Sequence, residues 1–320
     1  MTFNTLSRAQ ASALLLGGAV LPALATSRVW AQTLTTIHVI TLPIDAGAEA
    51  YYAQQLGFFT KAGIAVEIEP ASNGGASASA VAGNAVEIGY ADMVSIATAR
   101  AKGVPFVVVA PAALHVSAAP TTELLVAANS PIKTARDLEG KVVAGSGLGT
   151  ISGYSPRAWI DQNGGDSTKV KFVELAFPAM QAALDAGRVD AVMIAEPFLS
   201  AAKKVDRVIG SPYDAVSKDF LVSAYFTMEP WAKDHADVLN RFVGAIYDAA
   251  AWANKNQAKS ADLLIQYSKI DPGAVGAMTR VQYGERLTPA MLQPVVNVAA
   301  KYGDFPSYPA QELIYTAPRA

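Results

Sequence analysis

The sequence predicts an α/β protein with two lobes, each a doubly wound sheet flanked by helices, and three observations support this prediction. The chain has 320 residues, a length that accommodates two domains of ordinary size. Strand patterns alternate with helix patterns through most of it, which is typical of right-handed βαβ units and parallel sheets. Some strands, such as 104–110, are apolar throughout, as expected for a sheet covered on both faces.

The elements of the first part of the chain follow from short β-branched or apolar runs separated by turn residues. Pro43 ends the first strand, and Asn73-Gly74-Gly75 turns into the second helix. In order, we predict strand 37–41, helix 48–59, strand 65–69, helix 76–82, strand 86–90, helix 93–101 and strand 104–110.

The alternation pauses after Pro111 and then resumes. We predict strand 123–127, helix 134–138, strand 141–144, helix 152–162, strand 171–175, helix 178–186 and strand 190–194. From Pro230 onward the pattern is helical, with apolar residues spaced three and four apart along one face. Pro230 and Pro289 suit first helical positions. Pro294 cannot donate a backbone hydrogen bond, so the last helix is either kinked or starts later.

Composition excludes several classes of protein. The chain is 52% hydrophobic with a formal charge of −2, which argues against disorder and against a nucleic-acid partner. It contains no cysteine and only three histidines, so disulfides, thiolate nucleophiles and Cys- or His-rich metal sites are not expected. We therefore predict no metal and no cofactor.

The N-terminus has the features of a secretory signal peptide. Arg8 precedes the run of apolar and small residues 11–21, which is too short to span a bilayer. Small or modest side chains at Val29 and Ala31 predict cleavage after Ala31. A buried N-terminal helix is the alternative, but the turn-rich residues after the run fit export better. We expect residues 1–31 to be a signal peptide and the mature protein to be periplasmic and not membrane-spanning.

Four segments in order carry a family resemblance. They are Leu56-Gly57-Phe58-Phe59-Thr60-Lys61-Ala62-Gly63-Ile64-Ala65-Val66-Glu67, residues 83–90 with Glu87 in place of the usual aspartate, the Asp137-Leu138-Glu139-Gly140-Lys141 segment with Gly145-Ser146-Gly147, and residues 183–191 with Glu196-Pro197-Phe198. Together they resemble the periplasmic solute-binding proteins of ABC importers in the nitrate, sulfonate, taurine and thiamine-precursor (SsuA/THI5-like, NMT1-like) group.

This resemblance implies the type 2 periplasmic binding protein fold, in which two α/β lobes are joined by a two-strand hinge and hold a ligand between them. The chain would cross near residues 111–122 and 217–225. One lobe would then comprise 32–112 and 222–320, and the other 113–221. The implied partners are a small-molecule ligand and an ABC permease with its cytoplasmic ATPase, and we expect a monomer.

Candidate ligand residues follow from the strand ends, because open parallel sheets bind ligands beyond the carboxyl ends of their strands. Asp45 follows the first strand, and Asn73 and Gly74 follow the second. The glycines permit close backbone approach to a ligand, but a simple tight turn explains them about equally well. Asp92 is more readily a helix cap than a ligand contact.

A hydroxyl-rich segment follows the strand 141–144 and opens the next helix. Ser146, Thr150, Ser152 and Tyr154 are its candidate ligand residues. A dinucleotide fingerprint would require glycine at position 150, so we favour a cradle for a polar ligand or an oxyanion. Helix capping by Thr150 or Ser152 alone is the simpler alternative.

The remaining candidates are Glu196, which the family places near the ligand, and Tyr225, which suits stacking or hydrogen bonding to an organic ligand. Several carboxylates in one cleft disfavour a bare anion unless a cation such as Arg157 is present, and they suit amino or ring N–H donors. His115 is interpreted as a hinge or core residue. An aminosulfonate, sulfonate or pyrimidine thiamine-precursor ligand is therefore expected.

An enzyme is the alternative to a binding protein, and a ligand-sensing module of the same fold is another. The chain has no Gly-x-Ser-x-Gly elbow, no His-Glu-x-x-His motif and no Walker-type lysine. We therefore predict binding without catalysis.

Overall fold

A computed structural model describes residues 34–316. The predicted signal peptide, 1–31, and its cleavage point lie outside these residues. Thirteen strands occur in the described part of the chain: β1 Thr35–Thr41, β2 Ile64–Pro70, β3 Ile88–Asp92, β4 Phe106–Pro111, β5 Ala113–Val116, β6 Thr122–Ala127, β7 Val142–Gly145, β8 Lys171–Glu174, β9 Ala191–Ala195, β10 Asp206–Gly210, β11 Asp219–Leu221, β12 Ser223–Met228 and β13 Gln282–Tyr283.

The helices are α1 Glu49–Gln55, α2 Phe58–Lys61, α3 Gly74–Ala82, α4 Met93–Ala101, α5 Ile151–Gln162, α6 Phe177–Asp185, α7 Phe198–Ala202, α8 Glu229–Asp234, α9 Ala236–Lys255, α10 Gln257–Ser268, α11 Pro272–Ala277 and α12 Pro289–Gly303. Short 3₁₀ turns supplement them at Asp45–Gly47, Arg136–Leu138, Ser167–Lys169, Pro212–Ala215 and Ala310–Leu313.

Two five-stranded sheets and one three-stranded sheet organise these elements. The first sheet has the order β2-β1-β3-β12-β4, and the second sheet has the order β10-β6-β9-β7-β8. In each, neighbouring strands joined through helices run parallel: β1 pairs with β2 and β3, and β7 pairs with β8 and β9. The prediction of α/β sheets with helical connections is confirmed.

Neither five-stranded sheet is wholly parallel, contrary to the simplest interpretation of the strand-helix alternation. In the first sheet, β12 runs antiparallel to β3 and β4. In the second, β6 runs antiparallel to β9 and β10. Both strands follow a segment that leads from one sheet to the other, so they enter without a preceding helical crossover and are free to run in the opposite direction.

The third sheet contains the two segments in which the chain passes between the larger sheets. Its order is β11-β5-β13. Strand β5 leads from β4 to β6, and β11 leads to β12. They pair antiparallel, with Phe220 opposite His115. Both side chains are buried, so the two connections form one packed unit.

Two predicted helices differ from the observed ones for local reasons. The helix predicted over 48–59 is divided into α1 and α2 because Gly57 adopts φ +73°, a left-handed conformation that interrupts helical hydrogen bonding. The helix predicted over 134–138 is only a 3₁₀ turn. Of the two predictions for Pro294, the later start is wrong, because α12 begins at Pro289 and contains Pro294 within its span.

One core cluster contains buried residues from both larger sheets, and two further clusters lie beside the first and the second sheet. Helix α9 buries the apolar face predicted from its spacing, including Leu239, Phe242 and Ile246. Met180, Leu184 and Ile194 are buried together beside the second sheet. Across residues 34–316, the helices include none with the length and hydropathy of a bilayer span.

Candidate functional site

A cavity of about 480 Å³ opens at the carboxyl ends of parallel strands from both larger sheets. Residues that follow β1, β2 and β3 line one side, and residues that follow β7, β8 and β9 line the other. This is where open α/β sheets bind ligands, because the strand ends lead into loops and helix N-termini. The volume suits a small organic molecule.

Eight of the ten predicted ligand residues line this cavity. They are Asp45, Asn73, Gly74, Asp92, Ser146, Thr150, Ser152 and Glu196.

Asp45 is held by the protein itself. Its carboxylate accepts hydrogen bonds from the Arg280 guanidinium at 2.7 and 3.0 Å and from the backbone N–H of Val281 at 2.8 Å. The Tyr283 hydroxyl also donates to the Asp45 carbonyl at 2.5 Å. Asp45 is 2% exposed, and such a buried ion pair requires these additional donors to offset desolvation. Asp45 therefore anchors the side of the cavity that is lined by the residues following β1, β2 and β3. Nothing in the sequence spacing identified Arg280 as its partner, 235 residues away.

Asn73 and Gly74 open helix α3. The Asn73 side-chain oxygen accepts from the N–H of Ala76 at 2.9 Å, which is a standard N-cap. A side chain on Gly74 would place Cβ 3.1 Å from the Asp92 carboxylate and 3.3 Å from Cβ of Ala91. The glycine thus permits α3 to pack closely against the end of β3, in addition to lining the cavity.

Asp92 is a helix cap, as its position predicted, and also joins elements of the two larger sheets. Its carboxylate accepts from the Ser95 N–H at 3.1 Å, which caps α4. The same oxygen accepts from the Ile151 N–H at the start of α5, at 3.0 Å. Burial raises the pKa of Asp92, while hydrogen bonds from Ser95 and Ile151 oppose that rise. The carboxylate therefore occupies the N-termini of two helices.

Two of the four side-chain hydroxyls of the 145–154 segment form hydrogen bonds within it. Thr150 donates to the carbonyl of Gly147 at 2.8 Å, and the N–H of Ser146 donates to the Ser152 hydroxyl oxygen at 3.0 Å. The Thr150 side chain does not cap α5; Asp92 supplies the acceptor instead. Ser146, Thr150 and Ser152 still line the cavity, so the segment presents a fixed polar surface to it.

Glu196 is the counterpart of Asp92 on the second sheet. It follows β9 and accepts from the Ser200 N–H at 3.0 Å and from the Thr279 N–H at 3.1 Å. Thr279 lies beyond α11, in the C-terminal helical region. Glu196 thus connects the end of the second sheet to the segment that carries Arg280.

Tyr154 and Tyr225 do not line the cavity, so the structure gives no support to their predicted ligand contacts. Tyr225 is fully buried, and its hydroxyl accepts the N–H of Ala50 at 3.1 Å. Its side chain faces the helices behind β12, where it packs against Phe242. Tyr154 is half-buried beside Tyr302, with ring centroids 6.1 Å apart.

Several residues of the cavity were missed from the sequence. They include Glu174, Phe177, Phe198, Tyr90 and Tyr213. Glu174 ends β8, so the strand-end rule that found Asp45 and Ser146 also identifies it. Phe177 and Phe198 lie at helix starts, where no motif distinguishes them from core residues. His115 lies outside the cavity, in the third sheet, and contacts Asp214 at 2.9 Å.

Arg157 does not enter the lining. Its guanidinium lies over the Phe172 ring, 4.2 Å from the centroid. Residues 34–316 contain no group of histidine, aspartate and glutamate side chains arranged to hold a metal ion.

Comparison with known proteins gives one family. The sequence model of the family described as NMT1/THI5 like matches residues 47–260, about two thirds of the chain. A sequence search of the curated proteins returns no match.

Solved structures of similar fold include binding proteins and one enzyme. The periplasmic aliphatic sulphonate binding protein SsuA from Escherichia coli is 19% identical with a TM-score of 0.72, over 89% of this chain and 93% of that one. The periplasmic nitrate-binding protein NrtA from Synechocystis PCC 6803 is 14% identical with a TM-score of 0.65, over 76% and 69%. The desulfurization enzyme DSZB is 16% identical with a TM-score of 0.64, over 87% and 96%. At these identities the likeness establishes the periplasmic binding protein fold.

Proposed function

Because the chain belongs to the NMT1/THI5-like family, we propose that it is the extracytoplasmic solute-binding component of an ABC importer. It captures a small polar organic ligand of the aminosulfonate, sulfonate or pyrimidine thiamine-precursor type. It does so in the periplasm, without chemistry, and presents the ligand to a permease coupled to a cytoplasmic ATPase.

The observation that carries this proposal is a cavity whose walls come from both larger sheets. In this proposal the described residues 34–112 and 222–316 form one lobe and 113–221 the other, with β5 and β11 of the third sheet as the hinge. Asp92 and Glu196 each accept an N–H from the opposite lobe. A ligand that contacts both walls favours the closed arrangement, which is how such a protein signals that it is loaded.

An enzyme on this fold is the second candidate, since DSZB shares it. Two features favour binding over catalysis. The described lining contains no histidine to act as a general base near neutral pH. Three of its carboxylates are already bonded to the protein's own donors.

Calorimetric titration of residues 32–320 with taurine, alkanesulfonates, nitrate and aminopyrimidines tests the proposal. We expect one class to bind with 1:1 stoichiometry, to raise the melting temperature, and to be recovered unchanged by mass spectrometry. Turnover of the ligand would identify an enzyme, and failure of all solutes to bind would contradict the proposed function. Import by vesicles that contain the permease and ATPase would separate transport from sensing.

A matched pair of variants locates the site. Thr150→Phe fills the cavity from the 145–154 segment, so we expect binding to be lost with the melting temperature of the ligand-free protein nearly unchanged. Thr60→Phe makes the same change at an exposed position on α2 and should leave binding intact. Retained affinity in Thr150→Phe would remove this segment from the site.

A further inference from the structure

The charged residues that line the cavity are all acidic. Within the described part of the chain its lining holds four carboxylates, Asp45, Asp92, Glu174 and Glu196, and no lysine, arginine or histidine. Arg280 balances Asp45 from behind the wall, and Arg157 is held over Phe172 outside the lining. Of the four carboxylates, only Asp45 has a cationic partner among the described residues, so a bound ligand meets acidic groups that have no such partner.

Some of the N–H groups that could receive an anion at this cavity are already occupied by the protein's own acceptors. Helix N-termini bind anions because their first N–H groups have no partner within the helix. Here Asp92 accepts the N–H groups of Ser95 and Ile151 at the starts of α4 and α5. Asn73 caps α3 in the same way. An entering sulfonate or nitrate would lie beside the Asp92 carboxylate and compete with it for these N–H groups.

Glu174 differs from the other three carboxylates. It ends β8 and lines the cavity, and its side chain makes no hydrogen bond or ion pair with residues 34–316. It is also exposed, so water solvates its carboxylate until a ligand covers it. A ligand that does so must bring a hydrogen-bond donor, because an uncompensated carboxylate is expensive to desolvate.

The rest of the lining is largely apolar and aromatic. Phe177 and Phe198 lie on the same side as Glu174, and Tyr90 and Tyr213 complete the ring-bearing surface. Aromatic faces attract cations as well as apolar groups. The cavity thus combines a free carboxylate with aromatic walls.

We propose that this cavity selects a small organic cation, a protonated amine or amidine on an apolar or aromatic body, whose N–H groups bind Glu174, and that it rejects sulfonate, nitrate and carboxylate heads. This inference rests on the proposed function, because it assigns the ligand class of the same cavity. It also orders the ligand types given above: a donor-rich ring fits, and a bare sulfonate does not.

Two pairs of probes that share a body and differ in head charge test this selection. Benzylammonium is compared with phenylmethanesulfonate, and benzamidinium with benzoate, by calorimetry at pH 7 and low salt. We expect each cation to bind at least tenfold more tightly than its matched anion. Cation affinity should fall as salt is added, because Glu174 is exposed and its charge is screened.

Two variants test the role of Glu174. Glu174→Gln keeps the size of the side chain and an acceptor oxygen but removes the charge, so a charged hydrogen bond becomes a neutral one and cation affinity should fall by about 3- to 10-fold. The melting temperature of the ligand-free protein should not change. Glu312→Gln removes one charge from an exposed position outside the cavity and should leave affinity unchanged.

Tighter binding of the anions would overturn the ligand class while leaving solute capture in place. The same holds if none of the four probes binds but a solute of the wider panel does. If Glu174→Gln and Glu312→Gln lowered cation affinity equally, the effect would come from the net charge of the protein. That result would overturn the role of Glu174. Failure of every probe and every panel solute would contradict the proposed function itself.

Discussion

Glu49 is a fully buried acid that has no part in the cavity. It begins α1, is 0% exposed, and neither carboxylate oxygen has a hydrogen-bond partner within residues 34–316. Burial therefore raises its pKa well above the ordinary value of 4.5. The folded protein keeps the proton and the unfolded chain releases it, so the stability that Glu49 contributes is lost as pH rises above about 4.5.

Replacing Glu49 by methionine should increase stability. Glu49→Met keeps the length of the side chain while removing two unpartnered oxygens, so we expect the free energy of unfolding at pH 7 to rise by about 1–3 kcal/mol. The gain should shrink as pH falls toward 4.5. Urea unfolding between pH 4.5 and 8 measures it. Glu312→Met, on the surface, should change stability by less than about 0.5 kcal/mol; an equal gain there would contradict this explanation.

The role of a single residue was predictable where it depends on neighbouring sequence. It was not predictable where it depends on a contact with a residue far away in the sequence. The cap at Asp92 followed from its place between a strand and a helix. Its second acceptor role, toward Ile151, depends on how the two larger sheets face each other, 59 residues apart in sequence. Tyr225 was assigned to the ligand because tyrosine suits that role, but its register in β12 directs it toward α9.

The elements themselves were largely predictable because periodicity and turn residues are local. Helix α4 and the strands β1, β6 and β9 lie within two residues of their predicted limits. The short strands β5, β11 and β13 were not predicted as strands, since two to four residues carry no period. Their pairing is decided by where the chain crosses between sheets. The direction of β6 was missed for the same reason, and β10 and β12 were not predicted as strands at all.

The glycines of the 145–154 segment provide a test at the level of one element. A Cβ on Gly145 would lie 2.8 Å from the carbonyl oxygen of Ser152, whereas one on Gly149 would have no atom within 4 Å. Gly145→Ala must therefore move the segment away from α5. We expect a loss of about 1–3 kcal/mol in the free energy of unfolding, together with weaker ligand binding.

Gly149→Ala is the matched control in the same segment and should be neutral in both urea unfolding and titration. Equal effects of the two substitutions would mean that backbone freedom, and not close packing against α5, explains the glycines. An unaffected Gly145→Ala would show that the segment tolerates a shift away from α5.

At the scale of the whole molecule, the N–H groups of Ile151 and Thr279 join the walls of the cavity through Asp92 and Glu196. These contacts lie at the cavity and not at the third sheet, so opening at the third sheet would break them while the sheets themselves stay intact. A change from 1:99 to 99:1 closed requires a preference of about 5.5 kcal/mol for the closed form. Two such hydrogen bonds contribute about 0.5–3 kcal/mol each to the closed form. The contacts made by the ligand then determine whether the open or the closed form predominates.

The absence of cysteine from the sequence makes the proposed closure directly measurable, because introduced cysteines would be the only thiols for spin labels. Lys102, after α4, and Lys204, after α7, are exposed and belong to the elements of different larger sheets. With labels at both, we expect a broad, longer distance distribution in the ligand-free protein and a shorter, narrower one after saturation with the tightest ligand of the panel. Labels at Lys102, which follows α4, and at Lys255, the last residue of α9, both lie on elements beside the first sheet and should give one distance throughout. If the first pair also gave a single distance with and without ligand, the two walls would form a rigid site. The permease would then have to recognise the ligand-bound protein without any closure.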